Sequence, residues 1–343
     1  MSDPAIFAAV ASAAPLRQKQ RFTESLRAGE TVTDCFLVKA KEIRLNKNNE
    51  PYVTLVLGDR TGEFDAKIWD QVQELQALFE RDDIVKVQGK LTQFRNRLQM
   101  TVQRVRRLEA REYDLSDYLP STAQDVEALY AELRGYAEAV GNRWLRQLLL
   151  TLLDDPELAR RFKRAPAAKT LHHAYLGGLL EHVLSLCRAA RRLLPNYPGL
   201  DGDVVLAGIV LHDLGKIEEL SYERSIAYTT PGQLLGHMVL GLFLLREKIA
   251  AIPGFPPPLA MALEHMIVSH HGQYEFGSPK LPMFPEALLL HYLDDLDSKL
   301  HSMQASLRLS GEAEWTNYNP SLERPLLNLQ AWLTPAATAP EES

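Results

Sequence analysis

Histidine is distributed unevenly along this chain. All ten histidines lie between His172 and His301, and the first 171 residues contain none. Imidazole is the commonest transition-metal ligand and the usual proton carrier near neutral pH. Confinement to about 130 residues favours a shared chemical role over scattered structural use. This part of the chain is therefore expected to carry the chemistry.

Four pieces of this part contain candidate metal ligands. They are EHV at 181–183, LHDLGK at 211–216, GH at 236–237, and SHHG at 269–272 with LDDLD at 293–297 downstream. Imidazole and carboxylate ligands suit a hard or borderline divalent metal with positions open for water and substrate. Packed helices hold such ligands well. We therefore expect a metal centre in which His182 comes late in one helix and His237 opens another.

Composition excludes several other classes of protein. The chain has 343 residues, 46% hydrophobic and 24% charged, which is ordinary globular composition for two domains. No apolar run reaches about 18 residues, so no membrane partner is expected. Cys35 and Cys187 lie far apart, which excludes a disulfide framework or cysteine zinc site and favours the cytoplasm. The N-terminus carries Asp3 and lacks the basic start of a secretory signal.

The part without histidine has a strand pattern. Five short segments between Thr31 and Leu108 are rich in β-branched and aromatic residues, and a helical stretch, Gln71–Phe79, follows the third. This order is typical of an OB-fold, a small five-stranded barrel. For Phe64 and Trp69, the strand alternation leaves a core position and base stacking both open.

Helical periodicity replaces the strand pattern from about residue 121 to 305. The predicted fold is multidomain α+β, an N-terminal OB-fold barrel followed by an all-α bundle. The predicted divisions are a lead-in at 1–24, the OB-fold at 25–110, a linker at 111–125, the helical domain at 126–325, and a C-terminal segment with a disordered tail at 326–343. Residues 16–28 are predicted to form a short helix or lead-in.

Charge also differs between the two parts. Residues 1–110 contain 18 basic and 15 acidic residues, while residues 111–343 contain 20 and 29. OB-folds bind single strands through basic residues that follow the backbone and aromatics that stack on bases. The excess is modest, so an ordinary solvated face is the alternative. Candidate nucleic-acid contacts are Lys39, Lys41, Arg44, Lys47, Tyr52, Lys67, Phe94, Arg95 and Arg97.

The ordered histidines and aspartates resemble the HD-domain metal-dependent phosphohydrolases, including the subset that binds two metals. In that resemblance Asp294, rather than Asp297, takes the place of the first aspartate in the D-x-x-D ending. Which of His270 and His271 binds metal stays open. The metal ligands that the resemblance implies are His182, His212, Asp213, His237, His270, His271 and Asp294.

Two further roles follow from the same resemblance. The HDLGK sequence implies that Lys216 contacts a substrate phosphate and that Asp213 and Lys216 carry catalysis. The simpler alternative for Lys216 is complementing a helix dipole. His172 and His173 are either structural residues or contributors to the site.

The pairing of both domains resembles the YhaM-type 3′–5′ exoribonucleases over most of residues 25–325. The segments HHAYLGGLLEHVLSL, LHDLGK, GHMVLG, SHHGQYEFGSPKLP and LHYLDDLDSKL carry this resemblance. It implies removal of nucleoside 5′-monophosphates from the 3′ end of single-stranded RNA, with single-stranded DNA as a second candidate substrate. It also implies two divalent ions, with Mn²⁺ favoured over Mg²⁺, Fe²⁺ or Co²⁺.

The residue chemistry is compatible with hydrolysis without a protein nucleophile. A metal ion lowers the pKa of bound water toward neutrality, which permits in-line attack on phosphorus. No serine or cysteine lies in a recognisable nucleophile motif. Two alternatives remain: an HD phosphohydrolase acting on a free or cyclic nucleotide, and a non-catalytic nucleic-acid-binding protein. The apolar segment IPGFPPP at 252–258 offers a contact surface for a homo-oligomer.

Overall fold

The computed structural model describes residues 19–95, 97–169, 173–311 and 313–334. The chain forms two compact units, which divide between Pro120 and Ser121. The predictions for His172, for the first 18 residues of the lead-in and for residues 335–343 of the tail lie outside the described residues.

The first unit contains a closed five-stranded barrel, so the predicted OB-fold is confirmed. The strand order around it is β1-β2-β3-β5-β4, with β3 and β5 parallel and the other neighbours antiparallel. The first strand is long and pairs with both β2 and β4. The strands are β1 (Thr31–Leu45), β2 (Pro51–Asp59), β3 (Gly62–Ile68), β4 (Ile84–Phe94) and β5 (Arg97–Arg107).

Side-chain alternation explains the core of the barrel. Along β3, Phe64, Ala66 and Ile68 point inward and are buried, while the intervening residues face outward. The ring of Phe64 meets that of Phe36 edge to face, with centroids 5.0 Å apart. Phe64 is therefore a core residue, whereas Trp69, just beyond the strand, is 42% exposed.

Two predicted helices in this unit are shorter or absent. Helix α1 runs only over Val72–Gln76, and Phe79, at the end of the predicted helix, is buried. Residues 19–28 contain only a single 3₁₀ turn, Thr23–Ser25. The backbone N–H of Thr23 donates to Asp59 at 2.8 Å, so a side chain of the barrel holds this segment in place of helical hydrogen bonds.

The second unit is almost entirely helical, as predicted. Aspartate or asparagine side chains accept hydrogen bonds at the starts of α2, α3, α4 and α6, which explains where these helices begin. The helices are α2 (Val126–Ala139), α3 (Arg143–Leu153), α4 (Pro156–Arg164), α5 (Gly178–Leu193), α6 (Gly202–Leu211), α7 (Lys216–Glu219), α8 (Thr230–Ala250), α9 (Pro257–Ser269), α10 (Pro285–Ser310) and α11 (Leu329–Leu333).

Three details of the helical unit differ from the sequence expectations. A two-stranded hairpin, β6 (Leu220–Ser221) with β7 (Ala227–Tyr228), interrupts the helices. His182 is the fifth residue of α5, so its predicted late position is wrong. In the segment 252–258, Ile252 and Phe255 are buried, so its large apolar side chains pack inside the unit. Across the described residues, none of the helices combines the length and apolar character needed to cross a bilayer.

Candidate metal centre and nucleic-acid groove

The first cluster of the centre contains two imidazoles and two carboxylates from three helical regions. Nε2 of His182, from α5, lies 3.1 Å from Oδ1 of Asp294, from α10. Nε2 of His212, which directly follows α6, lies 3.3 Å from Oδ2 of Asp213. All of these side chains are almost completely buried except Asp294, which is 16% exposed. The four residues expected from the HD resemblance thus converge on one point.

The second cluster contains three histidines, His237, His270 and His271, whose ring nitrogens lie close enough to share an ion. Nε2 of His237 lies 3.4 Å from Nε2 of His270. Oδ1 of Asp213 lies 3.6 Å and 3.7 Å from these two atoms, while its Oδ2 faces the first cluster. Asp213 therefore stands between the clusters and presents one carboxylate oxygen to each.

A shared hydrogen-bond pattern orients the five histidines. The Nδ1 of each lies within bonding distance of an oxygen outside the centre, which leaves Nε2 as the atom available to a metal. Main-chain carbonyls hold three of them, and carboxylates hold the other two. The pairs are His212 with Ile209 O (2.8 Å), His270 with Ile267 O (2.7 Å), His271 with Phe276 O (2.8 Å), His182 with Asp297 (2.8 Å) and His237 with Glu219 (3.2 Å).

The two carboxylates that bond to Nδ1 atoms, those of Asp297 and Glu219, form an outer layer around the centre. The sequence does not predict this role for either of them. Asp297 was set aside in favour of Asp294, and the structure gives it a separate role behind His182. Glu219, the last residue of α7, is not among the predicted site residues, yet it holds Nδ1 of His237. Its Oε1 also accepts the backbone N–H of His237 at 3.0 Å, where α8 is kinked at Gly236. The sequence signal was available, because Glu219 follows HDLGK by three residues.

The HDLGK turn packs tightly against the second cluster. A Cβ on Gly215 would lie 1.9 Å from the carbonyl oxygen of His237, so any side chain there would separate the turn from α8. Nζ of Lys216 lies 2.6 Å from Oδ2 of Asp213. The glycine in the motif therefore has a steric reason, and the lysine contacts the carboxylate between the clusters.

The charges of the centre are set by burial and mutual contact. Burial alone would raise the pKa of Asp213, but Lys216 and His212 hold it well below its ordinary value. Burial alone would lower the pKa of His182, but its hydrogen bonds with Asp294 and Asp297 raise it to about 9. Burial, together with neighbouring histidines, lowers the pKa of His270 well below its ordinary value. His270 therefore favours its neutral imidazole form.

The residues of the centre fit divalent metal ions. Nε2 of His212 and Oδ1 of Asp213 are buried, and neither has a hydrogen-bond partner among the residues that the structure describes. Because His237 and His270 have their Nδ1 atoms bonded elsewhere, their facing Nε2 atoms would both present lone pairs when the two rings are neutral, and these lone pairs would repel. A cation bound to these atoms would remove both the cost of burying unpaired polar atoms and the repulsion between the lone pairs. The histidine and aspartate clusters could therefore hold metal.

The barrel carries a groove of about 480 Å³ that collects six of the nine predicted nucleic-acid contacts. The other three lie elsewhere. Lys39 pairs with Glu63, and the Nζ of Lys41 donates to the carbonyls of Gln76 and Phe79. Lys47 is exposed in the loop after β1. The six groove residues are Arg44, Tyr52, Lys67, Phe94, Arg95 and Arg97.

Aromatic rings flank the basic residues of this groove. Tyr52 and Trp69 stack with centroids 4.5 Å apart and planes 18° from parallel. Nζ of Lys67 lies 5.1 Å from the Trp69 ring and 5.8 Å from that of Phe94, which is 53% exposed. Trp69, whose role the sequence leaves open, thus lies beside two of the predicted residues, Tyr52 and Lys67. Exposed rings beside cations are the arrangement on which single-stranded bases stack.

Two family models match the parts of the chain that contain the groove and the clusters. Residues 37–108 match the family described as OB-fold nucleic acid binding domain, and residues 179–299 match the HD domain. The 3′–5′ exoribonuclease YhaM of Geobacillus sp. (strain WCH70) is 35% identical over 296 residues, which cover 86% of this chain and 90% of that protein. The chain belongs to the YhaM 3′–5′ exoribonuclease family.

A second curated relative has the same name. The 3′–5′ exoribonuclease YhaM of Bacillus subtilis (strain 168) is 34% identical over 296 residues, 86% of this chain and 93% of that protein. Among solved structures, the second OB-fold domain of replication protein A from Methanococcus maripaludis is 22% identical, with a TM-score of 0.21. The match covers 25% of this chain and 92% of the chain of the replication protein A domain. The family resemblance read from the sequence is confirmed.

Proposed function

We propose that this chain is a metal-dependent 3′–5′ exoribonuclease that releases nucleoside 5′-monophosphates from single-stranded RNA. One observation carries the proposal: Asp213 presents one carboxylate oxygen to each of two buried imidazole clusters. Such a centre suits hydrolysis of a phosphodiester, and membership of the YhaM family supplies the substrate class.

We propose two divalent ions, with Mn²⁺ favoured. His182, His212, Asp213 and Asp294 would hold one, and Asp213 with the three histidines of the second cluster would hold the other. When bound, the ions supply an activated water for in-line attack and neutralise charge on the phosphate. Both His270 and His271 belong to the set, since each has its Nδ1 bonded to a carbonyl.

The protein residues would position the substrate and balance its charge. Lys216 is mostly buried beside Asp213, so its ammonium lies at the edge of the centre, where it can neutralise a phosphate oxygen. The groove of the barrel would hold the strand by stacking and by backbone contacts. The binding of RNA and its hydrolysis are thus assigned to different units of the chain.

Incubation with 5′-labelled single-stranded RNA, single-stranded DNA and cyclic mononucleotides, each with Mn²⁺ or a chelator, tests the function. The proposal predicts an RNA ladder that shortens from the 3′ end, with 5′-monophosphates as products, and no reaction with chelator. Hydrolysis of the small nucleotides alone would instead support a cyclic-nucleotide phosphohydrolase. Binding of RNA without any turnover would support a non-catalytic role.

Three further features are also proposals. Single-stranded DNA is a second substrate, which the same ladder experiment tests. A homo-oligomer is measurable by light scattering, although the burial of Ile252 and Phe255 removes part of the surface suggested for it. A cytoplasmic location agrees with two cysteines that are both buried, and cell fractionation tests it.

A further inference from the structure

We propose that His173 is a positioning residue that fixes the orientation of the metal-ligating His182 through the carboxylate of Asp297. This inference rests on the proposed function, because it concerns the first metal site. Nε2 of His173 lies 3.2 Å from Oδ2 of Asp297, and Nδ1 of His182 lies 2.8 Å from the same oxygen. Asp297 therefore links the two imidazoles.

The carboxylate of Asp297 is held on both of its oxygens. Ser185, one turn after His182 on α5, donates its hydroxyl to Oδ1, while the two imidazoles occupy Oδ2. Burial works to raise the pKa of Asp297, but hydrogen bonds from His173 and His182 hold it below its ordinary value. A carboxylate fixed in this way keeps Nδ1 of His182 protonated and directs its Nε2 to the metal centre.

The backbone at His173 has a conformation that is uncommon outside glycine. Its φ of 50° lies in the left-handed region, which a non-glycine residue adopts only when its surroundings impose it. A Cβ on Gly178 would lie 2.1 Å from the His173 carbonyl oxygen, so the first turn of α5 accepts this carbonyl only because glycine is there. The ring stacks on His301 at a centroid distance of 3.9 Å.

A second set of hydrogen bonds anchors the opposite side of the His173 ring. Its Nδ1 lies 2.8 Å from the hydroxyl of Tyr175, which donates to Glu181 at 2.7 Å. Thr122 donates to the other oxygen of Glu181, and its backbone N–H donates to Leu176 O at 2.9 Å. A continuous chain of polar contacts thus runs from Thr122, near the start of the helical unit, to His182.

Titration of the full-length protein with Mn²⁺, without RNA, tests the inference. His173→Ala should weaken one of the two binding events by about 10–100-fold, the usual effect of losing an outer-layer partner. His173→Gln should recover most of the loss, because its amide can donate to Asp297. Tyr175→Phe, which removes only a hydroxyl, should weaken the same event less. Tyr292→Phe, on an exposed ring of α10, is the matched control.

The inference and the proposed function can fail separately, because the titration does not depend on RNA hydrolysis. Loss of Mn²⁺ affinity in His173→Ala with rescue by His173→Gln supports positioning, even if the wild-type protein proves inactive on RNA. Unchanged affinity, within twofold, in folded His173→Ala and Tyr175→Phe would overturn it. Lower melting temperatures with unchanged Mn²⁺ affinity would show a purely structural role and would also overturn it.

Discussion

Asp213→Asn should lower the turnover of single-stranded RNA by at least about 10³-fold, equivalent to about 4 kcal/mol of transition-state stabilisation. The amide keeps the size of the side chain but removes its negative charge and one of the two oxygens that face the clusters. Both proposed metal sites lose a ligand at once. Asp294→Asn changes only the first site and should therefore bind about one Mn²⁺ ion per chain instead of two.

The affinity of Asp213→Asn for RNA should change much less than its turnover. Because the barrel groove is assigned to binding, the affinity of Asp213→Asn for RNA in chelator should stay within about threefold of wild type, a difference of less than 1 kcal/mol. Asp295→Asn is the matched control, since Asp295 neighbours Asp294 on α10 but pairs with Lys299 on the surface. Equal loss of turnover in Asp295→Asn, or full activity of Asp213→Asn, would contradict the assignment.

Trp69→Ala should weaken binding of single-stranded RNA by about 5- to 150-fold, the equivalent of about 1–3 kcal/mol for a stacked base. Phe94→Ala should have an effect in the same range, because both rings are exposed beside Lys67. The KM for RNA should rise while kcat at saturating RNA stays near the wild-type value, because neither ring belongs to the metal centre. Fluorescence anisotropy with a labelled oligonucleotide measures the affinity.

Leu78→Ala is the matched control for the aromatic substitutions. Leu78 is 50% exposed in the same unit and does not line the groove, so its loss should leave RNA affinity unchanged. If Trp69→Ala and Phe94→Ala bound RNA as tightly as Leu78→Ala, the groove would not be the binding surface. A fall in kcat with unchanged KM would contradict the division of labour as well.

The sequence predicts the proposed metal ligands more completely than the groups that hold those ligands in place. His182, His212, Asp213 and Asp294 could be found because ligands need particular side-chain types in a particular order along the chain. The groups that hold these ligands in place need not come from a particular residue type. Main-chain carbonyls hold His212, His270 and His271, and every residue type has a carbonyl, so sequence cannot show this pattern.

The barrel shows a similar limit. Period-2 alternation identifies the five strands, because one face of each must be buried. It does not say which outward lysine has a partner. Lys41 is a predicted nucleic-acid contact, yet its ammonium donates to the carbonyls of Gln76, the last residue of α1, and Phe79, which lie more than thirty positions away. Alternation cannot decide whether Trp69 is a core residue or a stacking residue, because Trp69 follows the last residue of β3, where the alternation ends.

The central claim is that Asp213 bridges two metal ions, and anomalous X-ray scattering from crystals grown with Mn²⁺ tests it directly. The structure predicts two peaks, one among His182, His212 and Asp294 and the other among the three histidines of the second cluster, with Asp213 contacting both. A single peak, or two peaks of which neither contacts Asp213, would contradict the claim.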